Sequence, residues 1–321
     1  MSDLPLTVEV ALKAVVVLAA FLSLPLAIGQ TEHKVMAHMQ GRLGPMEAGP
    51  HGIAQLVADG IKFVQKEDVT PAAADRWVFR LAPAVALIPY LVALAVIPWS
   101  AAWVAADVPA SLLFVLAITS VGIFGTLMAG WGSGNKYSLV GGMRAGAQLV
   151  SYELPMVLAA ASVAMAAGTL SLTGIAEAWS WWWLVWQLPG ALVFLIAAVA
   201  ELQRVPFDAP IADSEVVFGP YTEYSGLGFA FFLLAEYAGI VVMSLLFTVL
   251  FLGGWSGPWS DTLGPLWTLL KATAVAILIL WLRVAWPRVR EDQLQRLAWT
   301  VLVPLALVQL GLTGIGVVIW T

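Results

Sequence analysis

The sequence predicts an all-α, polytopic membrane protein. Three observations carry that expectation. Of 321 residues, 61% are hydrophobic and 11% charged, whereas a soluble domain carries roughly a quarter charged residues. The apolar residues come in continuous runs of about 20 or more, the length a helix needs to cross a bilayer. Those runs do not alternate between polar and apolar residues, as the strands of a transmembrane barrel do.

Taken in order, the runs predict eight spans in a single membrane domain covering the whole chain. They fall near 8–29, 77–104, 110–131, 140–168, 184–203, 227–252, 264–286 and 297–320. Lys13 inside the first run, with no small-x-small cleavage site ahead of a soluble domain, argues against a signal peptide. Every Lys and Arg except Lys13 and Lys271 falls at or beside an odd-numbered loop. By the positive-inside rule those loops face the cytoplasm and both termini lie outside. The even loops carry tryptophan instead, including Trp103, Trp179, Trp181, Trp182, Trp183, Trp186, Trp255 and Trp259, as expected of an interfacial belt.

The first cytoplasmic loop is the longest and opens with TEHKVMAHMQGRLGP, Thr31 to Pro45. Within it, residues 51–67 place Ile53, Leu56, Val57, Gly60, Ile61 and Val64 at helical spacing. Asp59, Lys62, Gln65 and Lys66 fall largely on another face. This predicts a short amphipathic helix at the membrane surface. The third loop, WGSGNKYSLVGGMRAGAQ, lacks the preceding strand and Gly-Lys-Ser/Thr ending of a phosphate-binding loop. Its glycines suit tight turning and close helix packing instead. The seventh loop, Arg283 to Trp299, is cationic and reads as an inner anchor or a docking face.

Three ionisable residues interrupt the spans: Glu153, Glu236 and Lys271. Counted from Arg144 and Leu227, the two glutamates lie about 9 residues into their spans, roughly 13 Å. A lone intramembrane charge costs at least about 2.5–3.5 kcal/mol on insertion scales, so such residues mark function or pair with one another. The most distinctive stretch is AELQRVPFDAPIADSEVVFGPYTEYSG, from Ala200 to Gly226. It holds Glu201, Asp208, Asp213, Glu215 and Glu223, with Arg204 as its one cation. Pro206 and Pro210 deny it a long regular helix. An acidic, irregular segment between two spans requires a protein-lined, water-accessible cavity.

Composition also narrows the chemistry. With no cysteine there is no disulfide, no thiolate-bound iron–sulfur cluster and no thiol nucleophile in this chain. The histidines His33, His38 and His51 share one early segment, so a bis-histidine haem within the spans is not expected. The chain is expected to hold no metal, haem, flavin or iron–sulfur cluster of its own. A net charge of −5 disfavours nucleic acid as a partner.

Seven segments together resemble the H-subunit family of proton-pumping NADH–quinone oxidoreductase, respiratory complex I. They are TEHK with QGRLGP, QLVADGIKFVQKED, GNKYSLVGGMRAGAQLVSYELP, AELQRVPFDAP, TEYSG, FFLLAEY and WPRVREDQL, in the family's order and spacing. The resemblance implies eight spans plus a surface helix in a bacterial cytoplasmic (inner) membrane. It implies a quinone-binding chamber shared with peripheral iron–sulfur and quinone-site subunits, beside small membrane and antiporter-like subunits and membrane lipid. Ubiquinone or menaquinone would be the substrate, and the chain alone would be inactive. By matched motif, Glu153, Glu201, Asp208, Asp213, Glu215, Glu223 and Glu236 are implied in proton coupling, and Lys271 joins them as the third intramembrane charge. Glu32, Lys34, Arg42, Asp59, Lys62, Arg204 and Phe207 are implied in the quinone chamber. The chain departs from the family's usual pattern at His33 (usually Arg), at Gln203 (usually Asn) and at Ile211-Ala212-Asp213-Ser214-Glu215 (usually Glu-Ala-Glu-Ser-Glu). Two other readings stand beside this one: the membrane subunit of a related energy-converting hydrogenase or formate hydrogenlyase, and a stand-alone ion transporter.

Overall fold

The computed structural model describes residues 6–320; the side chains of Asp213, Ser214 and Trp320 lie outside that description. The described residues form helices and connecting turns. They comprise α1 (Leu6–Met39), α2 (Gln55–Gln65), α3 (Arg76–Val96), α4 (Ser111–Gly132), α5 (Lys136–Ala167), α6 (Leu172–Ala178), α7 (Trp183–Trp186) and α8 (Leu188–Glu201). After them come α9 (Asp213–Val216), α10 (Gly226–Phe251), α11 (Ser260–Ala285), α12 (Glu291–Leu297) and α13 (Val303–Trp320). Seven helices are long and apolar enough to cross a membrane: α1, α3, α4, α5, α10, α11, and α12 running into α13. The polytopic all-α architecture expected from the apolar runs is therefore what the chain adopts.

The fifth expected span takes another form. The apolar helix there, α8, has only 14 residues, about 21 Å, preceded by the single turn α7. Pro189 at the start of α8 lacks the N–H that would continue the ladder from α7. Other helices outrun their expected bounds. Helix α1 has 34 residues, about 51 Å, so Thr31 to Met39 is helix rather than loop. Its polar end finds partners there, as Gln30 donates to the Gly52 carbonyl at 2.9 Å and Thr31 to that of Ala27 at 2.8 Å. Likewise only Ser133–Asn135 separate α4 from α5, because the Asn135 side chain caps α5 by accepting from the Tyr137 N–H at 2.9 Å. Glu153 thus lies about 26 Å from the start of α5, at mid-helix, and Glu236 about 15 Å into α10.

Helices α5 and α10 sit at the centre. Helix α5 packs against α4, α8 and α13, and α10 against α1, α3 and α11. Helix α1 lies at the edge, with 17% of its apolar window buried. The amphipathic reading of α2 holds: Val57, Ile61 and Val64 are exposed, while Phe63 meets Phe229 of α10 at 5.8 Å between ring centroids. An exposed apolar stripe on a helix moored to the bundle suits burial in the headgroup boundary. Trp181 and Trp182 project outward as the belt reading requires, whereas Trp255 is buried.

Glycine at two positions lets the acidic stretch approach α5. Gly219 has φ +53, and a Cβ there would lie 1.9 Å from the Pro210 carbonyl oxygen. A Cβ on Gly141 would lie 2.7 Å from the Gly219 Cα. The glycines of the 131–148 segment therefore serve close packing, as their spacing suggests.

Candidate functional site

Between α8 and α10 the chain folds into short turns at Ala209–Ile211, Asp213–Val216 and Gly219–Tyr221, with a cis Val205–Pro206 peptide bond. The prolines break the helix as expected, and the segment tucks into the bundle. Arg204, whose side chain is 2% exposed, leaves this segment and sets its two terminal nitrogens against different helices. One is 2.7 Å from Glu32 on α1 and the other 2.7 Å from Glu236 on α10. Arg283 of α11 pairs with the second oxygen of Glu32. The Tyr237 ring lies 5.0 Å from the Arg204 guanidinium, an arrangement that favours a cation. Two arginines thus meet two carboxylates in a row, Arg283–Glu32–Arg204–Glu236, that is buried at its centre and partly exposed at both ends. Arg204 donates a hydrogen bond to Glu32, whereas its contact with Glu236 is a close ion pair without hydrogen-bond geometry.

A cavity of about 190 Å³ opens beside this row, lined by Arg204, Asp208, Phe218, Phe229, Glu236 and Arg283 among others. A smaller one, about 40 Å³, is lined by Tyr90, Thr126, Glu201, Ile211, Tyr221 and Glu236. Glu236 and Ile211 face both. Glu201, the last residue of α8, is 4% exposed. Neither of its oxygens meets a hydrogen-bond partner at normal geometry among the described residues, although Thr119 lies beside it and Glu153 acts on it electrostatically. Glu153 accepts a hydrogen bond from Ser120 at 2.6 Å. Burial pushes the Tyr221 hydroxyl up to about 12, so it stays neutral at ordinary pH, 3.3 Å from the Thr126 hydroxyl.

Three further acids of the segment sit nearer the surface, each with a partner. Asp208 is 2.9 Å from Arg288. Glu223 accepts from Asn135 at 2.6 Å. Glu215 is 2.5 Å from Arg144, which also lies 3.2 Å from Glu291. The hydrogen bond and charge of Arg144 hold the Glu215 carboxyl below its ordinary value. Phe207 is buried against Tyr152 of α5. Asp213 is in α9, but its side chain is outside the described residues.

Other expected site residues lie apart from this row. Lys34 donates to the Pro45 carbonyl at 2.6 Å and steadies the turn after α1. Arg42 donates to Gln40 at 2.9 Å. Asp59 and Lys62 face each other at 3.5 Å on α2. Lys271 donates to the carbonyls of Leu252, Gly254 and Ser256 at 2.8, 3.0 and 2.7 Å, so it clasps the α10–α11 turn. Among the described residues no set of three or more His, Asp or Glu side chains gathers as a metal ion requires. Sequence reasoning treats Arg283 as an anchor and passes over Ser120, Tyr90, Tyr221 and Tyr237. Ser120 has a signal, a hydroxyl within an apolar run; Tyr90 and Tyr237, inside the apolar runs of α3 and α10, read as ordinary aromatic packing.

Fold and site together define a polytopic all-α membrane protein in which an irregular acidic segment brings paired charges from several helices together. The family model described as NADH dehydrogenase matches residues 12–314. The H subunit of NADH-quinone oxidoreductase from Geobacillus kaustophilus (strain HTA426) is 47% identical over 290 residues, 88% of this chain and 86% of that protein. The corresponding H subunits of Bacillus cytotoxicus and of Geobacillus thermodenitrificans are 47% and 46% identical, over 288 and 290 residues and 88% of this chain, covering 86% and 87% of those proteins. The chain belongs to the NADH dehydrogenase family, among the H subunits of NADH-quinone oxidoreductase.

Proposed function

We propose that this chain forms the membrane part of the quinone chamber of a proton-translocating NADH-quinone oxidoreductase and couples quinone reduction to proton movement. The observation that carries this is the row Arg283–Glu32–Arg204–Glu236 and its continuation to Glu201 and Glu153. It links the α1–α2 face, where an apolar quinone tail would enter from lipid, to carboxylates in the middle of the bundle.

Reduction of a quinone takes two electrons and two protons. The electrons come from an iron–sulfur centre in a neighbouring peripheral subunit, and this chain supplies an apolar slot and charges that respond. Negative charge arising at the quinone head group competes with Glu32 and Glu236 for Arg204 and Arg283. Releasing Glu236 from Arg204 frees that carboxylate to accept a proton at the smaller cavity it lines. The 40 Å³ cavity has room for at least one water, which needs roughly 10–15 Å³ of such space. It joins Glu236 to Glu201, which is in the field of Glu153. Glu236, Glu201 and Glu153 act in that order as the path of the proton. The proton then passes to antiporter-like subunits in the same membrane.

In this reading the chain crosses the bacterial cytoplasmic membrane eight times, α7–α8 serving as the fifth crossing, with both termini outside. It is inactive without its partners. Glu153→Gln in the assembled complex tests the reading: coupled quinone reduction should fall at least tenfold with complex content unchanged. Unaltered turnover and pumping would overturn it.

A further inference from the structure

The segment after α11 does more than anchor the chain. Its first half is fastened to the acidic stretch: the Val289 N–H donates to the Pro206 carbonyl at 2.9 Å, and Arg288 holds Asp208 at 2.9 Å. Glu291, at the start of α12, shares Arg144 with Glu215. Its second half is fastened to the turn of α5 that carries Glu153. The Tyr152 hydroxyl donates to the Leu294 carbonyl at 2.9 Å. Ser151 donates to the Gln295 side chain, whose amide donates to the Ala147 carbonyl at 3.1 Å. Trp299 donates to the Ser151 hydroxyl at 3.3 Å. Leu294 is fully buried, and a turn of π-helix, 298–302, follows directly. Such turns break the regular ladder and let a helix change register locally.

We propose that residues 288–299 are a positioning strut: they transmit displacement of the acidic stretch to Ser151 and Tyr152, and so set where the Glu153 carboxylate stands relative to Ser120 and Glu201. The inference rests on the reading of Glu153 as a proton-handling group. The strut touches no substrate and acts through Glu153. Gln295 is its most exacting member, since its one amide group fixes both the Ser151 hydroxyl and the α5 backbone. A carboxylate moved by even part of an ångström hands on its proton poorly, and misplacements near 1 Å cost up to about a hundredfold.

The test uses the whole complex in membranes, with turnover normalised to assembled complex. Gln295→Leu and Tyr152→Phe should each lower kcat for quinone reduction about threefold to tenfold, the range one lost hydrogen bond supports, with quinone KM within twofold of the parent. Gln295→Glu, which keeps the acceptor for Ser151, should restore at least half of the turnover lost in Gln295→Leu. Asp261→Asn, exposed in the first turn of α11 and outside the strut, should change nothing. Unaltered kcat in Gln295→Leu and Tyr152→Phe, or losses that follow complex content alone with no recovery in Gln295→Glu, would overturn the strut. Glu153→Gln run in parallel separates the two readings. If it suppresses turnover while Gln295→Leu does not, only the strut fails; if it has no effect, the reading of Glu153 fails and takes the strut with it.

Discussion

Replacing Arg204 with methionine removes the charge at the buried centre of the row while keeping much of its length. Glu32, 1% exposed, keeps Arg283. Glu236 loses the cation 2.7 Å away and remains 28% exposed. Breaking a fully buried pair by deleting one partner costs about 3–5 kcal/mol, because the other charge stays desolvated. Glu32 retains one partner and Glu236 retains some solvent, so the cost falls at the lower end, about 3 kcal/mol. In a thermal-shift measurement on the purified complex this is a drop of roughly 6–12 °C for the unit containing this chain. The double variant Arg204→Met/Glu236→Gln should recover about half of the drop, since the orphaned charge is gone. Arg204→Lys should lie between parent and Met, as one ammonium has no fixed fork with which to bridge two helices. An Arg204→Met complex as stable as the parent, or a double variant no better than the single one, would refute the reasoning.

Three further outcomes follow from the same geometry. Gly141→Ala forces a methyl against Gly219 and should cost about 1–3 kcal/mol by overpacking, read as a lower thermal midpoint and faster proteolysis of the 205–220 segment; an unchanged midpoint would show that the loop yields freely. The Glu215 carboxyl is held below its ordinary value near 4.5 by Arg144, so its pair with Arg144 stabilises the loop at neutral pH and fades as pH falls through that depressed value. Thermal midpoints between pH 7 and 3 should therefore decline less steeply in Glu215→Gln than in the parent; parallel profiles would contradict this. Lys271→Met should expose the 252–256 turn to protease, since three carbonyls lose their donor; loss of turnover with the turn still protected would instead place Lys271 among the proton-handling groups.

Much of this architecture is legible in the sequence because a bilayer demands long apolar runs and punishes unpaired charge. The cation pattern, the α2 stripe and the intramembrane Glu153 and Glu236 are all local signals. What joins them is not local. Glu32 and Arg204 meet across 172 positions, and no periodicity shows that Arg204 bridges α1 and α10. Arg283 is at a span end, where cations usually serve as anchors, so its pairing with Glu32 is visible only once α11 is packed against α1. Helix ends escape a sequence reading for a related reason. Hydropathy reports where apolar residues stop, yet α1 and α5 continue through polar residues that protein partners satisfy. Ile211, an apolar residue among the acids of its segment, faces both cavities, and nothing local to it in the sequence reports that place.

The central claim is most directly tested by purifying the protein through an affinity tag in mild detergent and identifying what accompanies it. A complex with iron–sulfur subunits, antiporter-like subunits and bound quinone, which reduces quinone and moves protons together, is the expected result. A chain that purifies alone, stably folded and without those partners, would contradict it, and ion flux by that isolated chain in vesicles would replace it with the transporter reading.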